Sequence, residues 1–289
     1  MDFIRKNKND GLRMQEEEKE GLRYLTFPAF TRTGTVNHLF STRMGGVSEG
    51  IYGTMNLSYT RGDRKEAVDE NFRRIADVLG CKCEDFVCSD QTHTLNIKRV
   101  DKEDCGKGVT RPKDYQDVDG LVTDAEGIAL ATFYADCVPL FFLDPVKRVI
   151  GLAHSGWRGT AGRIGGKMIR IMEEEYGCKR ENILAAIGPS ICADCYEVSE
   201  DVAGVFKTEF GDAVLKSGKK PGKYQLDLWK ANEMVFLQEG LKLGQITVTD
   251  ICTCCNDKLL FSHRASNGKR GNLGAFLMLK NRDRERKNG

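Results

Sequence analysis

Apolar positions along this chain follow two repeats. Between residues 65 and 79, Phe72, Ile75, Ala76 and Leu79 return every three or four positions, the spacing of one helix face. Gly80 is placed to stop that helix, and Asp63 with Glu66 resembles a capping box ahead of it. A further helix is predicted to begin near Arg158 or Gly159. Its buried stripe is Ile164, Met168, Ile171 and Met172, and Gly177 ends it. Ser199 to Phe210 and Asp227 to Gln238 read as two more, with Asp227 as the N-cap before Leu228, Ala231 and Val235.

Elsewhere the apolar runs are short, as in strands. Val36 to Thr42 reads as one and leads into a Gly-rich loop. Phe86 to Cys88 leads to SDQTH, with Leu95 to Val100 as its partner. Four strands follow at close spacing: Asp119 to Thr123, Ile128 to Tyr134, Val138 to Leu143 and Val149 to Ala153. Asn182 to Ile187 and Ile246 to Ile251 are two more, and Leu259 to His263 with Leu273 to Leu279 closes the fold. Residues 101–118 are polar and read as a long mobile loop. Residues 1–20 form a charged segment, with Asn9-Asp10-Gly11 as a hairpin turn between Phe3-Ile4 and Leu12. Residues 281–289 form a polar tail.

Several strand links are too short for the crossover that parallel neighbours need. A mixed sheet in an α+β or layered arrangement is therefore expected rather than a doubly wound parallel sheet. No internal repeat is visible, and residues 21–280 are read as one domain.

Composition narrows the class. With 289 residues, 40% hydrophobic and 30% charged, the chain suits a large globular core. A net charge of +2 gives no field for nucleic acid, so no such partner is expected. No apolar run reaches membrane-spanning length and the N-terminus has no signal-like core, so a cytoplasmic protein without a membrane partner is expected. The eleven cysteines are then read as reduced thiols or metal ligands.

Candidate chemistry gathers between Ala131 and Arg163. One apolar run there ends at Cys137 and the next at His154, joined by a turn over Asp144-Pro145. His93 likewise follows a strand. Two imidazoles and a thiolate suit zinc, and three protein ligands leave a position open for water, as in catalytic sites. Zinc would acidify that water to a pKa of about 7. The opposing reading is a buried small Cys and two hydrogen-bonded core His. Arg158, in SGWRGT at a strand-to-helix junction, and Arg43, in STRMGG at a strand end, are the candidate anion-binding groups. Asp136, beside Cys137, is read as an orienting or proton-transfer group. Cys192 and Cys195 form a C-x-x-C without a thioredoxin-like setting, and Cys252, Cys254 and Cys255 follow a strand. No C-x-x-C pair stands at zinc-ribbon spacing, so most of these are read as structural, with Cys252 the one to watch.

QTH at 91–93, ADCVPL at 135–140, AHSGWRGT at 153–160, GPSI at 188–191 and FSHR at 261–264 together resemble the YfiH-like family. That family is also called the multicopper polyphenol oxidase or laccase-domain family and the purine nucleoside phosphorylase family. FSTRMGGVS and YGTMNLS match its opening motifs, and the resemblance runs from about Gly21 onward. It implies a single layered αββα domain with mixed sheets, similar also to the catalytic domain of cytotoxic necrotizing factors, in a monomer or homodimer. It implies a metal site on His93, Cys137 and His154. The implied activities are phosphorolysis of adenosine, inosine, guanosine and methylthioadenosine with phosphate as second substrate, and deamination of adenosine. Zinc is the implied cofactor. Copper-dependent phenol oxidation is an alternative, but four His are too few for a true multicopper oxidase. A second alternative makes Cys137 the nucleophile and His154 the base of a deamidase. Here the last motif reads FSHRASNGKRGN, which departs from the family pattern at Arg270.

Overall fold

The computed structural model describes residues 1–7 and 13–282. The hairpin expected around Asn9-Asp10-Gly11 and most of the polar tail lie outside the described residues. The early elements are β1 (Gln15–Lys19), β2 (Leu22–Thr26), α1 (Pro28–Thr31), β3 (Val36–Ser41), α2 (Lys65–Leu79), β4 (Phe86–Cys88) and β5 (Ile97–Arg99). The middle comprises β6 (Gly120–Thr123), β7 (Ala129–Tyr134), β8 (Val138–Asp144), β9 (Val149–Ser155), α3 (Trp157–Ala161), α4 (Ile164–Tyr176) and β10 (Leu184–Ile187). Then come β11 (Glu197–Ser199), α5 (Glu200–Phe210), β12 (Leu215–Ser217), β13 (Lys223–Leu226), α6 (Leu228–Gln238), β14 (Ile246–Val248), α7 (His263–Ser266) and β15 (Leu273–Leu279).

Two six-stranded sheets carry the molecule. The first runs β1-β2-β3-β15-β7-β4 and the second β14-β10-β8-β9-β6-β5; β11-β13-β12 form a small third sheet. Both large sheets are mixed. β4 and β7 pair in parallel in the first, as do β10 with β14 and β5 with β6 in the second. The fold is thus α+β, in αββα layers. One apolar core lies between the sheets, where Phe40, Leu130 and Leu277 of the first meet Phe141, Ile150 and Leu152 of the second. A second core packs α4, α5 and α6 on the outer face of sheet two, and a third packs α2 on sheet one. β8 and β9 are buried at every residue, which explains their continuous apolar runs.

Several expectations change in detail. Arg64, not Asp63, is the N-cap of α2, and no side chain caps it. Asp63 instead accepts from Asn56 Nδ2 at 3.0 Å. The helix predicted from Arg158 is two helices, broken at Gly162-Arg163, and Ile169 rather than Ile171 joins the buried stripe. Leu259 to His263 is no strand; it turns into the short α7. The polar stretch 101–118 is tied down: Lys107 pairs with Asp104 at 2.7 Å and Asp114 at 2.8 Å, and Tyr115 OH donates to Cys88 O at 2.6 Å. The first sheet begins at Gln15, inside the charged segment, because Glu20 and Gly21, both at positive φ, make the tight β1–β2 turn.

Candidate metal centre

β7 belongs to the first sheet and β8 to the second, so the chain crosses between layers at Ala135, Asp136 and Cys137. Asp136 makes the crossing with φ 89°, a conformation that non-glycine residues rarely adopt. Its carboxylate is held on both oxygens, by Thr253 Oγ1 at 2.7 Å and Arg264 N–H at 2.7 Å. Cys137 follows at the mouth of the layered core. Pro139 pairs with His154 across β8 and β9, which sets His154 beside Cys137. His93 comes from the loop after β4. Gln91 fastens that loop to sheet one by accepting from Phe133 N–H and donating to Phe133 O, each at 2.7 Å.

The ligand atoms of His93, Cys137 and His154 lie within 4.8 Å of one another, with Cys137 Sγ 4.0 Å from His93 Nε2. The two imidazoles meet edge to face at 4.9 Å. Gly156 lines this meeting point closely: a Cβ there would sit 2.8 Å from His93 Cδ2 and 3.2 Å from Cys137 Sγ.

Asp119, not singled out in the sequence, organises the site. Its Oδ1 lies 2.7 Å from His154 Nδ1. A carboxylate only accepts, so Nδ1 carries the proton and Nε2 is left as the coordinating atom. The same carboxylate accepts from Thr92 N–H, His93 N–H and Thr94 N–H at 3.2, 3.2 and 2.7 Å. It thereby holds His93 at its positive φ of 67°. Burial opposes ionisation of Cys137, but the His154 charge and its hydrogen bonds to both His outweigh burial and lower the thiol pKa. Burial likewise disfavours protonated His154, yet the Cys137 charge and the Asp119 bond raise its pKa. In the metal-free protein, thiolate and imidazolium thus support each other. Two imidazoles and a thiolate-prone Cys, with a carboxylate behind one imidazole, fit a zinc ion.

A cavity of about 400 Å³ opens over these residues, a size suited to a small metabolite. Arg43 and Arg158 do not line it. Arg43 donates to Gly53 O and Asp257 O and stacks on Phe261, while Arg158 is exposed over the Trp157 ring. The arginines lining it are Arg61 and Arg270. Arg270 is 8% exposed, bonds to Gly271 O and Asn272 Oδ1, and leaves Nε buried without a partner. Burial, and then Arg61, push its pKa down to about 10. The signal for it was the break in the FSHR motif. Of the other histidines, His38 is a core residue accepting from Phe27 N–H at 2.8 Å, and His263 opens α7.

A family model described as multi-copper polyphenol oxidoreductase laccase matches residues 37–280. The chain belongs to this family. Within the laccase family it is 36% identical over 246 residues to "Purine nucleoside phosphorylase YlmD" of Bacillus subtilis (strain 168), covering 83% of this chain and 87% of that one. It is 33% identical over 230 residues to a protein named adenosine deaminase from an unknown prokaryotic organism, covering 78% and 87%. The crystal structure of the hypothetical protein YfiH of Bacillus licheniformis superposes with a TM-score of 0.87 at 33% identity, covering 93% of this chain and 100% of that one. Among the described residues no helix is long and apolar enough to cross a membrane.

Proposed function

We propose that this laccase-family chain is a zinc-dependent purine nucleoside phosphorylase that also deaminates adenosine. The observation that carries the reading is Arg270, a buried guanidinium with an unpartnered Nε beside Arg61 in the cavity that His93, Cys137 and His154 line. Two adjacent cations with an unmet donor favour a multiply charged anion, and phosphate is the anion that phosphorolysis consumes. The names of the relatives support the same substrate class.

A zinc ion on His93, Cys137 and His154 supplies Lewis acidity and a readily deprotonated water. The chain's own groups do the rest. Arg61 and Arg270 hold phosphate against the ribose, in the role expected earlier of Arg43 and Arg158. Asp119 fixes the proton on His154 Nδ1 and keeps Nε2 free to bind. Asp136 acts as a positioning residue, holding the crossing from which Cys137 projects.

Product analysis on adenosine tests this. Adenine with ribose 1-phosphate, formed only with phosphate present, marks phosphorolysis; inosine, formed without phosphate, marks deamination. Cys137→Ala is expected to abolish zinc at this site and both products. Full turnover by metal-free protein would reject the proposal. The Cys137–His154–Asp119 chain also favours a second reading, a thiol deamidase. Glutamine deamidation by the metal-free protein, with no product from adenosine, would select it.

A further inference from the structure

A second cluster of metal-ligating side chains lies outside the cavity. β10 and β14 are parallel neighbours, so the chain leaves both at the same edge of the second sheet. The pairing continues past the strands: Thr249 N–H donates to Ile187 O at 2.9 Å and Thr253 N–H to Ser190 O at 3.1 Å. Each exit then makes a C-x-x-C turn, Cys192-Ala193-Asp194-Cys195 and Cys252-Thr253-Cys254-Cys255. No zinc-ribbon spacing exists in the sequence because β11 through β14 intervene; the parallel pairing supplies the proximity instead.

The four sulfurs of Cys192, Cys195, Cys252 and Cys255 lie within 4.8 Å of one another. Cys195 Sγ and Cys255 Sγ are 3.5 Å apart. Four thiolates around one zinc at 2.3 Å stand about 3.8 Å apart, so the set needs little movement to close on an ion. Two backbone donors already point at one sulfur: Cys192 N–H at 3.2 Å and Cys255 N–H at 3.4 Å from Cys252 Sγ. Amides aimed at a buried sulfur suit a thiolate ligand. Two basic side chains also stand nearby. Lys6, paired with Asp194 at 2.9 Å, lies within electrostatic range of Cys192 and Cys255, and Arg264 donates to Cys195 O at 3.0 Å. Lys6 is balanced by Asp194, so Arg264 supplies the net positive charge that partly offsets the −2 of a zinc tetrathiolate.

We propose that Cys192, Cys195, Cys252 and Cys255 bind a structural zinc ion that locks the two exit turns together. Four protein ligands close the coordination sphere, so this ion takes no water and no substrate. Its reach extends to the other site through Thr253, which sits inside the second turn and holds Asp136, next to Cys137. The ion thus steadies the crossing from which a ligand of the first site projects. The proposal stands independently of the reaction catalysed there.

Metal analysis of the whole chain tests it. His93 is exposed, so His93→Ala leaves the fold intact and removes the first site. That variant, purified without chelator, is expected to retain one zinc per chain, against two in the natural sequence. Cobalt in its place is expected to give the intense visible bands and sulfur charge transfer of four thiolates. Cys195→Ser with Cys255→Ser is expected to remove the ion, lower the thermal midpoint and reduce kcat more than it raises KM. A His93→Ala protein without zinc, iron in place of zinc, or a native Cys195–Cys255 disulfide would each overturn the assignment. If the double serine variant does not fold, the His93→Ala stoichiometry and cobalt spectrum decide alone.

Discussion

Asp119 is fully enclosed and gathers the N–H groups of Thr92, His93 and Thr94 with Nδ1 of His154 on one carboxylate. It couples two candidate ligands that come from different layers, so its removal is expected to act on metal affinity before it acts on chemistry. Asp119→Asn keeps the shape but replaces one acceptor oxygen by an NH2 that faces donors. Zinc affinity at the first site is expected to fall about 10- to 100-fold. Competition with a chromophoric chelator measures this, and unchanged affinity would show that Asp119 only fills space. Cys137 and His154 were readable as candidate ligands because apolar runs lead into them, and His93 because it follows a short strand. Asp119 was not, because it looks like the polar start of an ordinary strand until His154 is laid beside it. Arg61 and Arg270 were missed as anion groups for the same reason: a guanidinium's role depends on which partners the fold denies it.

At the scale of elements, local rules carried far. The stop at Gly80 is such a case: it ends α2 with φ 73°, and no atom lies within 4 Å of where a Cβ would stand. Gly80→Ala therefore pays only for the left-handed backbone, about 1 kcal/mol, visible in urea unfolding with activity unaltered. A much larger loss would mean that hidden contacts, not backbone conformation, select glycine there. Asp227 caps α6 as expected, accepting from Lys230 N–H at 2.9 Å. The break between α3 and α4 is silent in the apolar pattern because the stripe begins only at Ile164, just beyond Arg163, which takes φ 61°. Periodicity registers which side chains face inward, not whether one backbone hydrogen-bond ladder is continuous.

At the scale of the molecule, β15 enters the middle of sheet one between β3 and β7. His38 lies opposite Leu277 in that pairing, beneath Phe27 and Phe30. Burial pushes its pKa down to about 3. The unfolded chain binds this proton below about pH 6.5, the native protein only near 3. Its contribution is therefore intact above 6.5 and lost as pH falls, at about 1.4 kcal/mol per pH unit. Between pH 7 and pH 5 the natural protein is expected to lose about 2 kcal/mol that His38→Leu keeps. Parallel stability curves for the two in urea would refute this.

Most helices and strands and their stops were determined by the chain alone, because each rests on spacing between near neighbours; the His–Cys–His candidates, far apart in sequence, were marked only by the strand-like runs that precede them. Only the tertiary structure decided that β7 and β8 part into different sheets, that Asp119 backs two ligands, and that two distant C-x-x-C turns face each other. Those outcomes depend on which strands pair and in what register, a choice made collectively by burial over the whole core.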